Sequence, residues 1–208
     1  MTAASTAGPP APAGPEDRTE RLDLWRPVDG DLPELYALLS DPRVWTHFPS
    51  KRHSALEQTA WSLQRWMRGW EDDGLGVWIA RERGSAAIAG YGGVAVHGGE
   101  VWNLGYRFAV AAQGRGYATE LARRARERAT AADPALPVTA FLLEHNEASA
   151  AVVRKAGLEL VHRAPDAGNP DPHAMRLIFA DRPLTADQLA LVLSRRPPRG
   201  ERRPQGQA

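Results

Sequence analysis

A glycine-containing segment in the middle of the chain has the residue types and spacing of an anion-binding loop. Gln113-Gly-Arg-Gly-Tyr-Ala-Thr119 follows an apolar run that ends at Val110 and opens a helical pattern. The first backbone N–H groups of a helix lack partners within the helix, and its dipole adds about half a positive charge there. Gly114 and Gly116 have no Cβ, so they permit positive φ angles and close approach of a ligand. The segment therefore predicts binding of a phosphate or pyrophosphate.

Two common nucleotide-binding loops do not match this segment. It contains no Gly-Lys-Ser/Thr, which excludes a nucleotide-hydrolysing P-loop. Gly114-x-Gly116-x-x-Thr119 lacks the third glycine of a dinucleotide fingerprint, and no ribose-binding acid follows it. The pattern that remains is Gln-x-x-Gly-x-Ala.

Composition excludes several other kinds of chemistry. The chain has no cysteine, which excludes disulfides, thiolate zinc sites and a covalent cysteine intermediate. Its six histidines are scattered without ligand spacing, so no metal site is expected. A net charge of +1 gives no overall attraction to nucleic acid or an anionic membrane. Without a secretory signal or an apolar run of ~20 residues, we expect a cytoplasmic protein.

The elements that must position the loop follow from the periodicity of apolar residues. Two coreless segments, a 1–20 leader rich in alanine and proline and a 194–208 tail rich in arginine and proline, are predicted to be disordered around one folded domain, 21–193. Helices are predicted at 32–40, 54–70, 113–133 and 148–156. Strands are predicted for a first run ending at Pro27 and for 77–82, 87–96, 100–110, 138–144, 158–164 and 173–180. This order indicates an α+β fold with a mixed sheet.

Two motifs, taken together, resemble a known family. Gln113-Gly-Arg-Gly-Tyr-Ala118 is similar to the acetyl-CoA loop of the GNAT superfamily of N-acetyltransferases, and Asn146-x-x-Ser-x-x-Val-x-x-Lys-x-Gly157 to a later element of that superfamily. Leu24-Trp-Arg-Pro27 and Leu104-Gly-Tyr106 resemble the branch that acetylates the N-termini of ribosomal proteins. The resemblance covers about residues 22–182.

The resemblance implies a fold and a cofactor. The fold would be a mostly antiparallel, twisted sheet flanked by about four helices, with a splayed pair of strands that holds acetyl-CoA. The backbone amides of 115–118 would hold the pyrophosphate, and the strand edges 108–110 and 142–144 would flank the pantetheine arm. For the side chain of Arg115, a contact with phosphate and a solvated position remain alternatives. The implied cofactor-binding residues are Phe108, Ala109, Val110, Gln113, Gly114, Arg115, Gly116, Tyr117, Ala118, Thr119 and Asn146.

Ser149 is the implied proton donor. In the resembling branch, the serine of Asn-x-x-Ser lies near the departing thiol, where a hydroxyl stabilises the charge that develops. The structural alternative is that Ser149 caps the orphan amides at the start of its own helix. No tyrosine follows Tyr117 to take this role.

The general base is not fixed by the sequence. Related proteins often carry an acid before the Leu-Gly-Tyr segment, but here that position is Asn103, which cannot accept a proton. Glu100, Glu144 and His47 are the candidates, although Glu100 adjoins a Gly-Gly turn and suits a solvated turn residue. A water chain could also suffice, because the pKa of an α-amine is already near 8.

The acceptor side is expected at the first two helices and at the aromatic loop between them, residues 44–50. The predicted substrate-binding residues are Trp45, His47, Phe48, Asn103 and Tyr106. The sequence thus predicts an acetyl-CoA-dependent N-acetyltransferase whose acceptor is a small-molecule amine or a protein N-terminus, attacked directly in a ternary complex. A monomer or homodimer without nucleic-acid or membrane partners is expected. The alternative is a non-catalytic, CoA-binding regulatory module.

Overall fold

The apolar periodicities build one eight-stranded sheet with helices on both faces in the computed structural model, which describes residues 14–167 and 169–194. The strands are β1 (Asp17–Arg18), β2 (Leu22–Trp25), β3 (Val77–Glu82), β4 (Ile88–His97), β5 (Val101–Phe108), β6 (Val138–Leu143), β7 (Glu159–Pro165) and β8 (Met175–Ala180). The helices are α1 (Leu32–Ser40), α2 (Leu56–Asp73), α3 (Tyr117–Ala132), α4 (Glu147–Lys155) and α5 (Ala186–Leu193). The sheet order is β1-β2-β3-β4-β5-β6-β8-β7.

The parallel pair β5–β6 is the irregular place in an otherwise antiparallel sheet. Its register contains only Trp102 opposite Val138 and Asn103 opposite Thr139. Towards their C-terminal ends the two strands are no longer paired, and α3 with its preceding loop connects them. The result is a wedge between two strand edges whose backbone groups have no partner in the sheet.

Alternation along the strands assigns the two faces of the sheet to different helices. Trp78 and Trp102 pack in the large cluster that contains the buried side of α3, including Leu121. Ile79 points to the opposite face and packs with α1, α2 and Trp66. A third, smaller cluster joins α5 to the sheet. Successive side chains of β5 therefore point alternately towards α3 on one face of the sheet and towards α1 and α2 on the other.

The predicted fold class is confirmed, with two elements that the sequence reasoning did not include. β1 lies within the predicted leader, where Asp17 forms ion pairs with Arg124 and Arg128 of α3. α5 is a fifth helix where about four were expected. The predicted strand 100–110 and helix 113–133 are shorter in the structure, because a 3₁₀ turn and the glycine loop separate them. Residues 1–13 and 195–208, which hold most of the predicted tails, lie outside the described residues.

Candidate active site

A cleft of about 1270 Å³ lies along the wedge and continues to the aromatic loop and α2. One end is formed by the glycine loop and the start of α3. The other is formed by His47 and Phe48 with residues of α2 and β4. One continuous space therefore connects the predicted anion loop with the predicted acceptor side.

The glycine loop is closed by Gln113. Its side-chain Nε2 donates a hydrogen bond to the carbonyl oxygen of Phe108 at 3.0 Å, which ties the loop to the end of β5. Gly114 and Gly116 have φ angles of 73° and 83°, a region that L-residues other than glycine rarely adopt. Gly116 is the N-cap of α3, so the free amides of the first turn follow it directly.

The space over the loop fits a diphosphate group. A Cβ at Gly114 would meet no atom within 4 Å, and one at Gly116 would meet only Nη2 of Arg21, at 3.3 Å. The donors are main-chain N–H groups at the positive end of a 16-residue helix, which is the donor chemistry that pyrophosphate prefers. The predicted cofactor-binding residues that line the cleft are Phe108, Gln113, Gly114, Gly116, Tyr117, Ala118, Thr119 and Asn146.

Three predicted cofactor-binding residues do not line the cleft: Ala109, Val110 and Arg115. The guanidinium of Arg115 is paired with the carboxylate of Glu82 on β3, and it lies 4.7 Å from the ring centroid of Tyr117. Of the two alternatives for Arg115, the structure shows neither a purely solvated side chain nor one directed into the cleft.

Ser149 and Tyr106 meet across the wedge. The hydroxyl of Tyr106 lies 2.9 Å from Oγ of Ser149 and 3.1 Å from its carbonyl oxygen. Burial raises the pKa of Tyr106 to about 12, against the opposing effect of its hydrogen bond with Ser149. Helix α4 is capped by Asn146, whose Oδ1 accepts from the amide of Ser149 at 3.1 Å. The capping role considered for the Ser149 side chain is therefore filled by Asn146.

Two of the three candidate bases lie away from the cleft lining. Glu100 is an exposed residue of the β4–β5 turn. Glu144 is exposed and forms two hydrogen bonds with Arg163, at 2.6 and 2.8 Å, and this pairing lowers the pKa of the carboxyl. Neither carboxylate is positioned to take a proton from an amine inside the cleft.

His47 is the candidate base that lines the cleft. Burial, with smaller contributions from the charges of Arg107 and His145, lowers the pKa of His47 to about 4. The imidazole is therefore neutral at pH 7 and can accept a hydrogen bond. His145 lies 2.8 Å, through Nε2, from the carbonyl oxygen of His47 and so joins the α4 side of the cleft to the aromatic loop.

The remaining predicted acceptor residues divide between cleft and core. Asn103 lines the cleft, and its Oδ1 is buried without a hydrogen-bond partner in the described part of the chain. Phe48 and Tyr106 also line it. Trp45 does not: it is 6% exposed, its Nε1 donates to the carbonyl oxygen of Leu39 at 2.6 Å, and it packs in the core under α1. Its assignment to the pocket wall is corrected for this reason.

Arg107 is a cleft residue that the sequence reasoning missed. It lies on β5 between two apolar or aromatic positions of the opposite face, so alternation directs it to the side of α1 and α2. A lone cation in that strand pattern was the available signal. Within the described residues, no group of histidines and acids could hold a metal ion, and no helix is long and apolar enough to cross a membrane.

Comparisons with known proteins agree with this geometry. A family model described as an acetyltransferase (GNAT) domain matches residues 21–159. No curated protein sequence matches the chain significantly. An acetyltransferase (GNAT family) from Bacillus anthracis superposes with a TM-score of 0.66 at 18% identity, covering 78% of this chain and 95% of its own.

Two further similar structures were solved with ligands. A ribosomal alpha-N-protein acetyltransferase in complex with coenzyme A has a TM-score of 0.64 at 19% identity, over 78% of this chain and 94% of its own. A microcin self-immunity acetyltransferase in complex with acetyl-CoA and AMP has a TM-score of 0.63 at 15% identity, over 77% and 92%. At these identities the likeness shows a common fold.

Proposed function

The chain belongs to the GNAT acetyltransferase family, and from that premise we propose that it transfers an acetyl group from acetyl-CoA to a primary amine. The observation that carries the proposal is one cleft in which a helix N-terminus with two positive-φ glycines and a hydroxyl pair line the same wedge. Two of the similar solved structures contain coenzyme A or acetyl-CoA. The acceptor is a small-molecule amine or a peptide N-terminus.

The residues at the glycine end of the cleft would hold the donor. Amides of the first turn of α3 would bind the diphosphate, while Gln113 keeps the loop shaped through its bond to Phe108. The unpaired backbone groups of β5 and β6 would form hydrogen bonds with the amide groups of the pantetheine arm of acetyl-CoA. When bound, acetyl-CoA supplies an acetyl thioester activated towards amines.

The residues in the middle of the cleft would move protons. The acceptor nitrogen bonds to the acetyl carbon, the carbon–sulfur bond breaks, and the nitrogen loses a proton. The hydroxyl of Ser149 would give a proton to the departing thiolate, and the hydroxyl of Tyr106, 2.9 Å from Oγ of Ser149, would donate to it in turn. Water in the cleft would carry the proton of the amine to solvent, and His47, whose low pKa makes it a weak base, would accept a hydrogen bond from that water.

Release of thiol from acetyl-CoA tests the proposal. With a panel of short peptides, aryl amines and aminoglycosides, we expect amine-dependent thiol release and one acetylated product per thiol. Binding of coenzyme A by calorimetry, without thiol release for any amine, would instead indicate the non-catalytic CoA-binding module. The non-catalytic module is tested as well because Asn103, at the position where related proteins often have an acid, cannot act as a base.

A further inference from the structure

The guanidinium of Arg107 is held in the acceptor half of the cleft by groups that carry no negative charge. Its Nη1 donates to the carbonyl oxygen of Val44 at 2.9 Å and lies 3.5 Å from Nε2 of neutral His47. Its carbon Cζ lies 3.6 Å from the ring centroid of Trp45, which gives a close cation–π contact. These contacts fix the position of the cation but leave its charge without a counter-ion.

Within the described residues no carboxylate forms an ion pair with Arg107, whereas at least eleven other arginines there have one. The Nε atom of Arg107 is also buried without a hydrogen-bond partner in that part of the chain. A partly buried cation is unfavourable unless an anion pairs with it. A site that keeps such a cation therefore suits a ligand that brings the anion.

The acids that line the cleft are placed elsewhere. Asp72 and Asp73 lie at the C-terminal end of α2, and Glu147 begins α4. Asp166 is already bound to Arg176. The charge of Arg107 contributes, after burial, to the low pKa of the adjoining His47.

The floor of the cleft leaves room for a ligand beside this cation. Gly93 of β4 and Gly105 of β5 are register partners, two residues along their strands from the pair Tyr91–Arg107 and on the same face of the sheet. A Cβ at Gly105 would meet nothing within 4 Å. An acceptor can therefore reach the middle of the wedge while another part of it lies against the guanidinium.

We propose that Arg107 binds a carboxylate of the acceptor, so that the preferred acceptors are amines that carry a negative charge near the reacting nitrogen. This inference rests on the proposed acetyl transfer and names its substrate class. The planar guanidinium suits a carboxylate, because the Nη donors that Val44 does not occupy can bond to the oxygens of the anion. An acidic residue next to a peptide N-terminus and a small acidic amino compound share this chemistry.

Matched acceptors test the proposal in two arms. The peptide arm compares N-terminal peptides that differ only by glutamate or glutamine at the second or third position. The small-molecule arm compares glutamic acid α-amide with glutamine α-amide, which keeps the reacting α-amine nearly unchanged. For the unmodified protein we expect kcat/KM to favour the carboxylate of at least one pair by about 10- to 100-fold, as for a charge-assisted pair. Equal kcat/KM values within every pair would overturn the proposal.

Variants connect the preference to the residue. Arg107→Gln should reduce the preference to about one, and Arg107→Lys, which keeps the charge and is less disruptive to packing, should leave an intermediate preference. The matched control is Arg43→Gln, because Arg43 lines the same cleft but is paired with Asp41. A preference that survives in Arg107→Gln, or that is lost equally in Arg43→Gln, would contradict the assignment.

The outcomes separate this inference from the proposed function. If no amine releases thiol, the acetyl transfer itself fails. If transfer occurs but neutral and acidic acceptors are used equally, only the assignment of Arg107 fails. If Arg107→Gln weakens coenzyme A binding and leaves the acceptor preference unchanged, the guanidinium serves the donor, which also overturns the inference.

Discussion

At the scale of single residues, the hydroxyl groups of Tyr106 and Ser149, 2.9 Å apart, are the path that we propose for the proton of the departing thiol. Because the pKa of Tyr106 is raised to about 12, its hydroxyl stays protonated across the physiological range and can donate to Ser149. The proton of Ser149 is then free for the thiolate. We expect Ser149→Ala to lower kcat about 100-fold, the lower end of the range for proton transfer by a side chain. Tyr106→Phe should lower it less, about tenfold, because Tyr106 acts through Ser149.

Steady-state kinetics measures kcat of the two variants, and calorimetry measures their affinity for coenzyme A. That affinity should change little in either variant, since the backbone amides proposed to bind the diphosphate lie at the start of α3. A kcat for Ser149→Ala equal to that of the unmodified protein would show that its hydroxyl only supports α4.

A second residue-scale prediction concerns acid sensitivity. The pKa of His47 is about 4 in the folded protein, and that of an exposed histidine is 6.5. As the pH falls from 6.5 towards 4, the unfolded chain takes up this proton first, so the free energy of unfolding decreases over that range. His47→Gln should therefore lose less stability between pH 7 and pH 4.5, as measured by urea denaturation. Parallel curves for the two proteins would show that burial of His47 does not shift its titration.

Residue-scale reasoning from sequence reached the types of groups in the cleft but not their partners. Gln113, Gly114 and Gly116 are a weak signal alone and become specific only together with the later element from Asn146 to Gly157. Trp45 was misassigned because an aromatic residue in a loop gives no sign of its burial. Arg107 was missed because alternation gives its face and not the neutral groups around it.

At the scale of elements, Gly93 of β4 and Gly105 of β5 allow stability and activity to be changed separately, because only Gly93 is closely packed. A side chain at Gly93 would place Cβ 2.3 Å from the carbonyl oxygen of Gly76, whereas one at Gly105 points into the open cleft. We expect Gly105→Val to keep the free energy of unfolding within about 1 kcal/mol, because valine suits a strand. Its acetyl transfer should fall at least tenfold, because the new side chain occupies the cleft.

Gly93→Val is the matched comparison for the same strands. It should lower the free energy of unfolding by about 1–3 kcal/mol or more through overpacking. Thermal melts and thiol release measured on both variants check the contrast. Full activity of Gly105→Val would mean that the floor at this position lies outside the path of the ligands.

Element-scale prediction succeeded where the periodicity was strong. The strand at 77–82 was predicted with the bounds it has, and the helix patterns found α1 to α4. α5 was missed although its start is a capping box, in which Thr185 and Gln188 exchange hydrogen bonds. β1 could not be found locally, since a two-residue strand is held by the ion pairs of Asp17 with α3.

At the scale of the whole molecule, α5 covers part of the sheet near β5 and β8. Val192 is 1% exposed and packs with Val101 of β5 and Ile178 of β8. Val192→Asp would bury a carboxylate without a partner, and we expect it to lower the free energy of unfolding by about 2–4 kcal/mol. Leu193→Asp, at the partly buried next position, is the control and should cost less. If both variants melt at the temperature of the unmodified protein, α5 is not part of the cooperative unit.

Because of the gap between β5 and β6, the free energy of unfolding should depend on the concentration of the acetyl donor in solution. A donor whose arm bridges the two edges would act as a missing strand, and at 100 times its dissociation constant it would add about 2.7 kcal/mol to the stability. The amide protons of 104–108 and 140–143 should then exchange with deuterium more slowly. In a cell, the filled and empty forms would consequently differ in lifetime as well as in readiness for catalysis.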